Sequence, residues 1–277
     1  MDNQIIESII YKESYVAFLD VLGFKELVLR DNTENRKRLN QYFNIVNSVI
    51  NYIRSIDMKK DIGFIVISDS IIMSIHKGNS NVERLDRLRS LCIAVGLIQK
   101  RLALIDIWLR GGISSGKAYF NIEKNQIVGP AYINAYLLEE SMAVFPRVLL
   151  DSKVINELGY SSASDLIDAI NMSRDGGLEF YNWGSAILYN WHYPDGKSVT
   201  HLKQDVALFI DYLCPIVEED THELLTIIGN IEKSIYSDTR IYTKFRWVSD
   251  YLKSIALREQ KNDNVIGDEA MYRLENL

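Results

Sequence analysis

The stretch Tyr15-Val16-Ala17-Phe18-Leu19-Asp20-Val21-Leu22-Gly23-Phe24 reads as an apolar strand that ends in a carboxylate and a glycine turn. A second stretch, Phe64-Ile65-Val66-Ile67-Ser68-Asp69-Ser70-Ile71-Ile72-Met73, carries its acid at the tip of a tight hairpin of two strands. A carboxylate at the end of a buried strand is costly to desolvate unless it is paired or holds a cation. Two such acids in one fold suggest a divalent metal site, and that in turn suggests phosphate chemistry.

Working outward, the first strand covers residues 14 to 20. A helix is expected from Glu34 to Ile56, with Leu39, Phe43, Val46, Val49, Ile50 and Ile53 on its apolar stripe. The hairpin of residues 62 to 76 follows. A second helix is expected from Val82 to Leu104, capped by Ser80 or Asn81. Then come a strand from Ile105 to Ile113, a break at Ser115-Gly116 and a strand near Ala118 to Ile122. Gly129-Pro130 opens a helix from Ala131 to Met142, and Arg147 to Leu150 reads as a further strand.

The order β-α-ββ-α-β is that of a ferredoxin-like split unit in an α+β fold. In that topology the first and third strands lie side by side, so Asp20 and Asp69 meet at one edge. Beyond Asp151 the texture changes. Residues 178 to 193 read as a strand pair. Helices are expected over Val206 to Val217, Glu223 to Tyr236 and Thr239 to Glu259, and a polar tail, frayed in part, over residues 260 to 277. The expected division is a catalytic unit of residues 1–195 and a C-terminal helical extension of residues 196–277 packed on it.

With 277 residues, 47% of them apolar, the chain can bury a sizeable core. A net charge of −6 argues against nonspecific nucleic-acid binding. No signal peptide and no membrane span are read from the sequence, so a cytoplasmic location is expected. Cys92 and Cys214 lie in apolar stretches and read as buried free thiols. His76, His192, His201 and His222 lack metal-ligand spacing.

Four motifs, in order, resemble class III nucleotidyl cyclases. Phe18-Leu19-Asp20-Val21-Leu22-Gly23-Phe24 is similar to their first metal motif, and Ser68-Asp69-Ser70 to their second. Leu109-Arg110-Gly111-Gly112-Ile113-Ser114-Ser115-Gly116 is similar to their Arg-x-Gly-Ile-x-x-Gly strand and turn. Gly129-Pro130-Ala131-Tyr132-Ile133-Asn134 is similar to the entry to their catalytic helix. The run to Glu139, then Phe145-Pro146-Arg147-Val148, and the tail Thr239 to Trp247 most resemble the pyrimidine cyclases of Pycsar anti-phage defence.

The resemblance implies a class III cyclase-like fold and a head-to-tail homodimer with active sites at its interface. It implies two Mn²⁺ or Mg²⁺ ions per site, held by Asp20, Asp69 and the Val21 carbonyl. The implied reaction turns a nucleoside triphosphate into a 3′,5′-cyclic monophosphate and pyrophosphate, read by a downstream cyclic-nucleotide-sensing effector. Gly23, Phe24 and Lys25 are candidates for phosphate contact, with Lys117 behind them. Arg110 is a candidate for phosphate or for an ion pair with an acid such as Glu139. Asn134 would orient the ribose, and Arg147 would reach phosphate or the transition state.

Three departures bear on specificity. Where purine cyclases of this family carry a base-reading lysine and acid, this chain has Ile65 and Asn125. Where the catalytic helix usually carries an arginine, it has Leu138. The first two favour a pyrimidine, with UTP expected over CTP. The alternatives are a purine cyclase with unusual base contacts and a cyclase-fold sensor without catalysis.

Overall fold

A computed structural model describes residues 8–56, 62–172, 186–189, 208–219, 221–261 and 266–277. Strand β1 (Lys12–Val21) is followed by a short helix α1 (Phe24–Leu29) and the long α2 (Thr33–Ile56). The hairpin β2 (Gly63–Ile67) and β3 (Ser70–His76) leads into α3 (Asn81–Ala103) and β4 (Leu109–Asn121). Then come β5 (Gln126–Val128), α4 (Pro130–Met142), β6 (Val148–Leu150), α5 (Lys153–Glu157) and α6 (Ala163–Met172). The described remainder holds β7 (Leu188–Tyr189), β8 (Phe209–Ile210), α7 (Cys214–Glu219), α8 (Thr221–Ile235), α9 (Thr239–Lys261) and α10 (Asp268–Glu275).

The sheet order is β2-β3-β1-β4-β6-β8-β7, with β5 paired to β4 off that path. Its first four strands have the ferredoxin-like order, and the fold is α+β as expected. β1 is central: Asp20 lies opposite Ser70 on β3 and opposite Arg110 on β4.

Strand alternation sorts β1 between two layers. Tyr15, Ala17 and Leu19 enter the main core, shared with α2, α3 and the C-terminal helices. Val16 and Phe18 enter a smaller cluster with Ile65, Ile72, Ala118, Ala131 and Ala135, under α4. Asp20 falls on the Val16–Phe18 side. The Phe18 ring meets Tyr136 edge-on at 5.3 Å and Tyr132 at 6.2 Å, which seats α4 across that face.

Gly112 makes the seating possible. A Cβ there would come within 2.5 Å of the Ala135 carbonyl oxygen and 2.9 Å of the Leu138 Cβ. The sequence places a glycine where a helix lies directly on a strand.

Several expectations are corrected. No break occurs at Ser115-Gly116: β4 runs unbroken to Asn121 and then turns back into β5. On α2 the buried aromatic is Tyr42, and Phe43 is exposed. Tyr42 continues the run of threes and fours from Leu39 to Val46, so the stripe is offset by one residue there. Val206–Val217 is not one helix. Leu208, Phe209 and Ile210 are buried where β8 pairs with β6 and β7, and α7 starts only at Cys214-Pro215.

The described end of the tail is packed: Ala270, Leu274 and Leu277 are buried and Arg273 forks onto Glu232 at 3.0 and 2.6 Å. The strand pair over 178 to 193 and the boundary at residue 195 fall largely outside the described residues. The described piece of the former, β7, pairs with β8, which lies beyond that boundary and extends the same sheet. Ser80 caps α3, accepting from the Glu83 N–H at 3.2 Å while Glu83 Oε2 accepts from the Asn79 N–H at 2.6 Å.

Candidate active site

The hairpin tip docks on the end of β1 through its backbone. The Val21 N–H donates to the Asp69 carbonyl at 3.2 Å, and the Leu22 N–H donates to the Trp108 carbonyl at 2.8 Å. Asp20 and Asp69, read from separate stretches, therefore share one edge of the sheet. Ser68 supplies the tip with a positive φ of 58°, and Ser70 is the first paired residue after it.

Arg110 joins this edge to α4. Its Nε–H and Nη2 donate to Asp20 Oδ2, both at 3.3 Å. Nε also lies 2.7 Å from Glu139 Oε1, off the N–H axis, as an ion pair. Glu139 is only 3% exposed. Burial pushes the Glu139 carboxyl above its ordinary value, Arg110 opposes that, and Asp20 and Glu140 add to it. Burial likewise raises Asp20, Arg110 lowers it, and the charge of Asp69 raises it further.

Tyr42 is the residue that sequence reasoning missed. Its hydroxyl is buried and finds no hydrogen-bond partner among the described residues. Burial raises its phenol, and the charges of Asp69 and then Asp20 raise it further, so the ring oxygen lies within electrostatic reach of both acids. The two carboxylates offer hard, oxygen-only donors. That set suits Mg²⁺ or Mn²⁺ better than a soft metal.

The other candidates divide. Gly23 takes φ 75°, a left-handed turn that a side chain would resist, and starts α1. Phe24 is buried edge-on to Tyr42 at 5.8 Å, so only its backbone is available to a ligand. Lys25 and Lys117 are exposed. Asn134 is half-buried on the first turns of α4. Leu138 rests on Gly112.

Arg147 does not join the site. It is buried, with its guanidinium 5.1 Å from the Trp247 ring, 5.5 Å from Phe145 and 5.6 Å from Phe209. The expected phosphate contact is thus replaced by an aromatic cage that binds β6 to α9. Cys92 and Cys214 are buried free thiols. No helix among the described residues is long and apolar enough to cross a membrane.

No protein-family model matches the chain, and no curated protein does. Among solved structures, it is similar to the adenylyl cyclase CyaB from P. aeruginosa, at 16% identity and a TM-score of 0.43, over 73% of this chain and 94% of that one. It is also similar to the monomeric guanylyl cyclase domain of the RhoGC fusion protein from the aquatic fungus Blastocladiella emersonii, at 15% identity and a TM-score of 0.40, over 53% of this chain and 84% of that one. A third is a class III adenylyl cyclase-like ATP-binding protein from Pseudomonas aeruginosa, at 14% identity and a TM-score of 0.39, over 56% of this chain and 36% of that one.

Proposed function

We propose that the cleft at Asp20 and Asp69 binds a pyrimidine nucleoside triphosphate, UTP, and converts it to the 3′,5′-cyclic monophosphate and pyrophosphate. The observation that carries this reading is the backbone docking that sets Asp69 beside the end of β1, next to Asp20, with Arg110 bonded to the Asp20 carboxylate. In the reaction the ribose 3′-oxygen bonds to the α-phosphorus, the bond to the β-phosphate oxygen breaks, and the 3′-hydroxyl proton is lost.

Asp20, Asp69 and the Val21 carbonyl would hold two Mn²⁺ or Mg²⁺ ions. When bound, these ions supply acidity at the 3′-hydroxyl and neutralise the leaving pyrophosphate. Arg110 is fixed from two sides, by Asp20 and by Glu139, so its remaining donors point in a set direction without rotamer search. Asn134 orients the ribose. The Gly23-Phe24 backbone and Lys25 approach phosphate.

Ile65 is buried in the cluster under α4, and Asn125 sits at φ 50° in the turn between β4 and β5. Neither offers the lysine–acid pair of purine readers, which supports a pyrimidine. The chain works as a homodimer built on the α4 face, where Ile133 (51% exposed), Leu137 (47%) and Val144 (53%) stand open. The product signals phage infection to a cyclic-nucleotide-sensing effector in the cytoplasm, a role carried over from the sequence resemblance.

The test is product analysis. Purified protein with Mn²⁺ is given ATP, GTP, CTP and UTP separately, and cyclic monophosphates are identified by mass. Cyclic UMP is expected, and it should vanish in Asp69→Asn with the fold retained. Cyclic CMP alone would change the base. Cyclic AMP or GMP would overturn the argument from Ile65 and Asn125. Product that survives Asp69→Asn would remove the aspartate pair from the chemistry.

A further inference from the structure

Two peptide groups tie the end of β1 to its neighbours. The Val21 N–H shares a peptide with the Asp20 carbonyl and donates to the Asp69 carbonyl at 3.2 Å. The Leu22 N–H shares a peptide with the Val21 carbonyl and donates to the Trp108 carbonyl at 2.8 Å. A trans peptide is planar, so its N–H and C=O point in opposite directions. The Trp108 carbonyl therefore fixes the direction of the Val21 carbonyl, the backbone group implied above to hold a metal ion.

Trp108 is in turn held by its side chain. The indole is buried, meets Phe245 of α9 edge-on at 5.5 Å, and donates from Nε1 to Asp106 Oδ1 at 2.9 Å. Asp106 lies between α3 and β4 at φ 59°, a left-handed backbone that few residues other than glycine adopt. Two helices enforce it. Arg38 on α2 donates from Nη2 to the Asp106 carbonyl at 2.6 Å and lies 3.5 Å from Oδ2. From α8, Ser234 Oγ donates to Asp106 Oδ1 at 3.4 Å, and Lys233 Nζ lies 3.9 Å from Oδ2. Asn230, also on α8, donates to the Ala103 and Leu104 carbonyls at 2.9 and 3.3 Å, which pins the start of the same turn. A line of direct contacts thus runs from α2 and α8 through Asp106 and Trp108 to the Val21–Leu22 peptide.

We propose that Asp106 is a positioning residue of the active site: through the Trp108 indole it sets the Val21–Leu22 peptide, and α2 and α8 set Asp106. This rests on the metal-assisted reading given above, and it makes the C-terminal helices part of the alignment of the metal-binding edge. Asp106 touches no reacting group and acts by geometry alone. A shift of the indole tilts the Trp108 carbonyl, and the hydrogen bond passes that tilt to the Val21 carbonyl. An Asp106 that only braced the turn would cost stability when lost and leave metal affinity as it was.

The test is the Mn²⁺ affinity of the full chain without nucleotide, read from the electron paramagnetic resonance signal of free Mn²⁺. Trp108→Phe keeps a ring against Phe245 and removes the N–H donor. Asp106→Gly removes the acceptor and relieves the left-handed backbone, so it folds without the strain an alanine would meet. Each should weaken Mn²⁺ about tenfold, the low end for groups that orient metal ligands. The double variant should be no weaker than either single one, because both break the same bond. Asp106→Asn should retain most of the affinity, since its amide oxygen still accepts from the indole. Lys77→Met, at the other end of β3 from Asp69, should keep the parent affinity despite its cost in stability. Unchanged affinity in Trp108→Phe and Asp106→Gly, with parent binding intact and Asp69→Asn defective, overturns the role of Asp106 and leaves the functional reading standing. Additive losses in the double variant, or an equal loss in Lys77→Met, overturn it in the same way. A parent protein that binds no Mn²⁺, or binds it as well after Asp69→Asn, overturns the functional reading, and the role of Asp106 with it.

Discussion

Replacing Arg110 by alanine should destabilise the protein through a carboxylate it leaves behind. Glu139 is 3% exposed and has Arg110 Nε at 2.7 Å as its counter-charge. Removing one member of a buried pair costs about 3–5 kcal/mol. The low end applies here, about 3 kcal/mol, because the Arg110 side chain keeps 28% of its exposure and Glu139 can take up a proton. For a chain of this size that is a fall in Tm of about 6–9 °C.

Glu139→Gln alone should cost about 1 kcal/mol, because Arg110 still has Asp20 at 3.3 Å. In the Arg110→Ala background it should restore about 2 kcal/mol, because an amide has no charge to strand. The sign with pH follows. Without Arg110 the folded-state pKa of Glu139 is raised by burial above its unfolded value. Its stabilisation is then full below the unfolded value and is lost as pH rises through the folded one. The gap between Arg110→Ala and the parent should therefore narrow on acidification from pH 8 toward pH 5, followed by urea melts. Additive losses in the double variant, or a gap independent of pH, would refute the reasoning.

Lys77→Met should also lose its cost on acidification, although the carboxyl concerned is shifted the other way. Lys77 Nζ lies 2.8 Å from Glu157 Oε2, and Ser115 also donates to that carboxylate. Burial raises Glu157, but these hydrogen bonds and the lysine charge outweigh it and hold it below its ordinary value. The loss, about 1 kcal/mol at pH 7, should disappear as pH falls through the folded value; a loss that persists in acid would contradict the pairing. Leu137→Asp should leave the unfolding free energy of the monomer within about 0.5 kcal/mol of the parent while raising the dimer dissociation constant in sedimentation, and an unchanged dimer would move the interface off α4. Tyr42→Phe should leave the metal-free protein as stable or about 1 kcal/mol more stable in urea melts, because it removes a buried hydroxyl without a partner; a clear loss would reveal a partner for that hydroxyl.

The βαββαβ core was legible because its strands are short, β-branched and bounded by recognisable turns, and its helices carry regular stripes. The pairing of Asp20 with Asp69 followed from topology alone. What escaped reading was tertiary. Tyr42 and Phe43 are adjacent aromatics, and only the packing of α2 on Phe24 decides which turns inward. The run Leu208-Phe209-Ile210 has no helical or alternating period long enough to distinguish strand from helix, and β6 and β7 decide it.

Position 138 ties these threads together. From the sequence, a leucine where an arginine is usual reads as lost function. In the fold, Leu138 rests on Gly112, and the next residue, Glu139, holds the guanidinium of Arg110 beside Asp20. An arginine at 138 would have to leave that packed layer and share the cleft with Arg110. The positive charge that phosphate chemistry needs would then come from β4, through Arg110. On that argument Leu138→Arg should not raise turnover. It should lower stability by about 1–3 kcal/mol through overpacking against β4. A gain in cyclase rate from that variant would show that α4 still expects its arginine and that the cation arrangement argued for here is wrong.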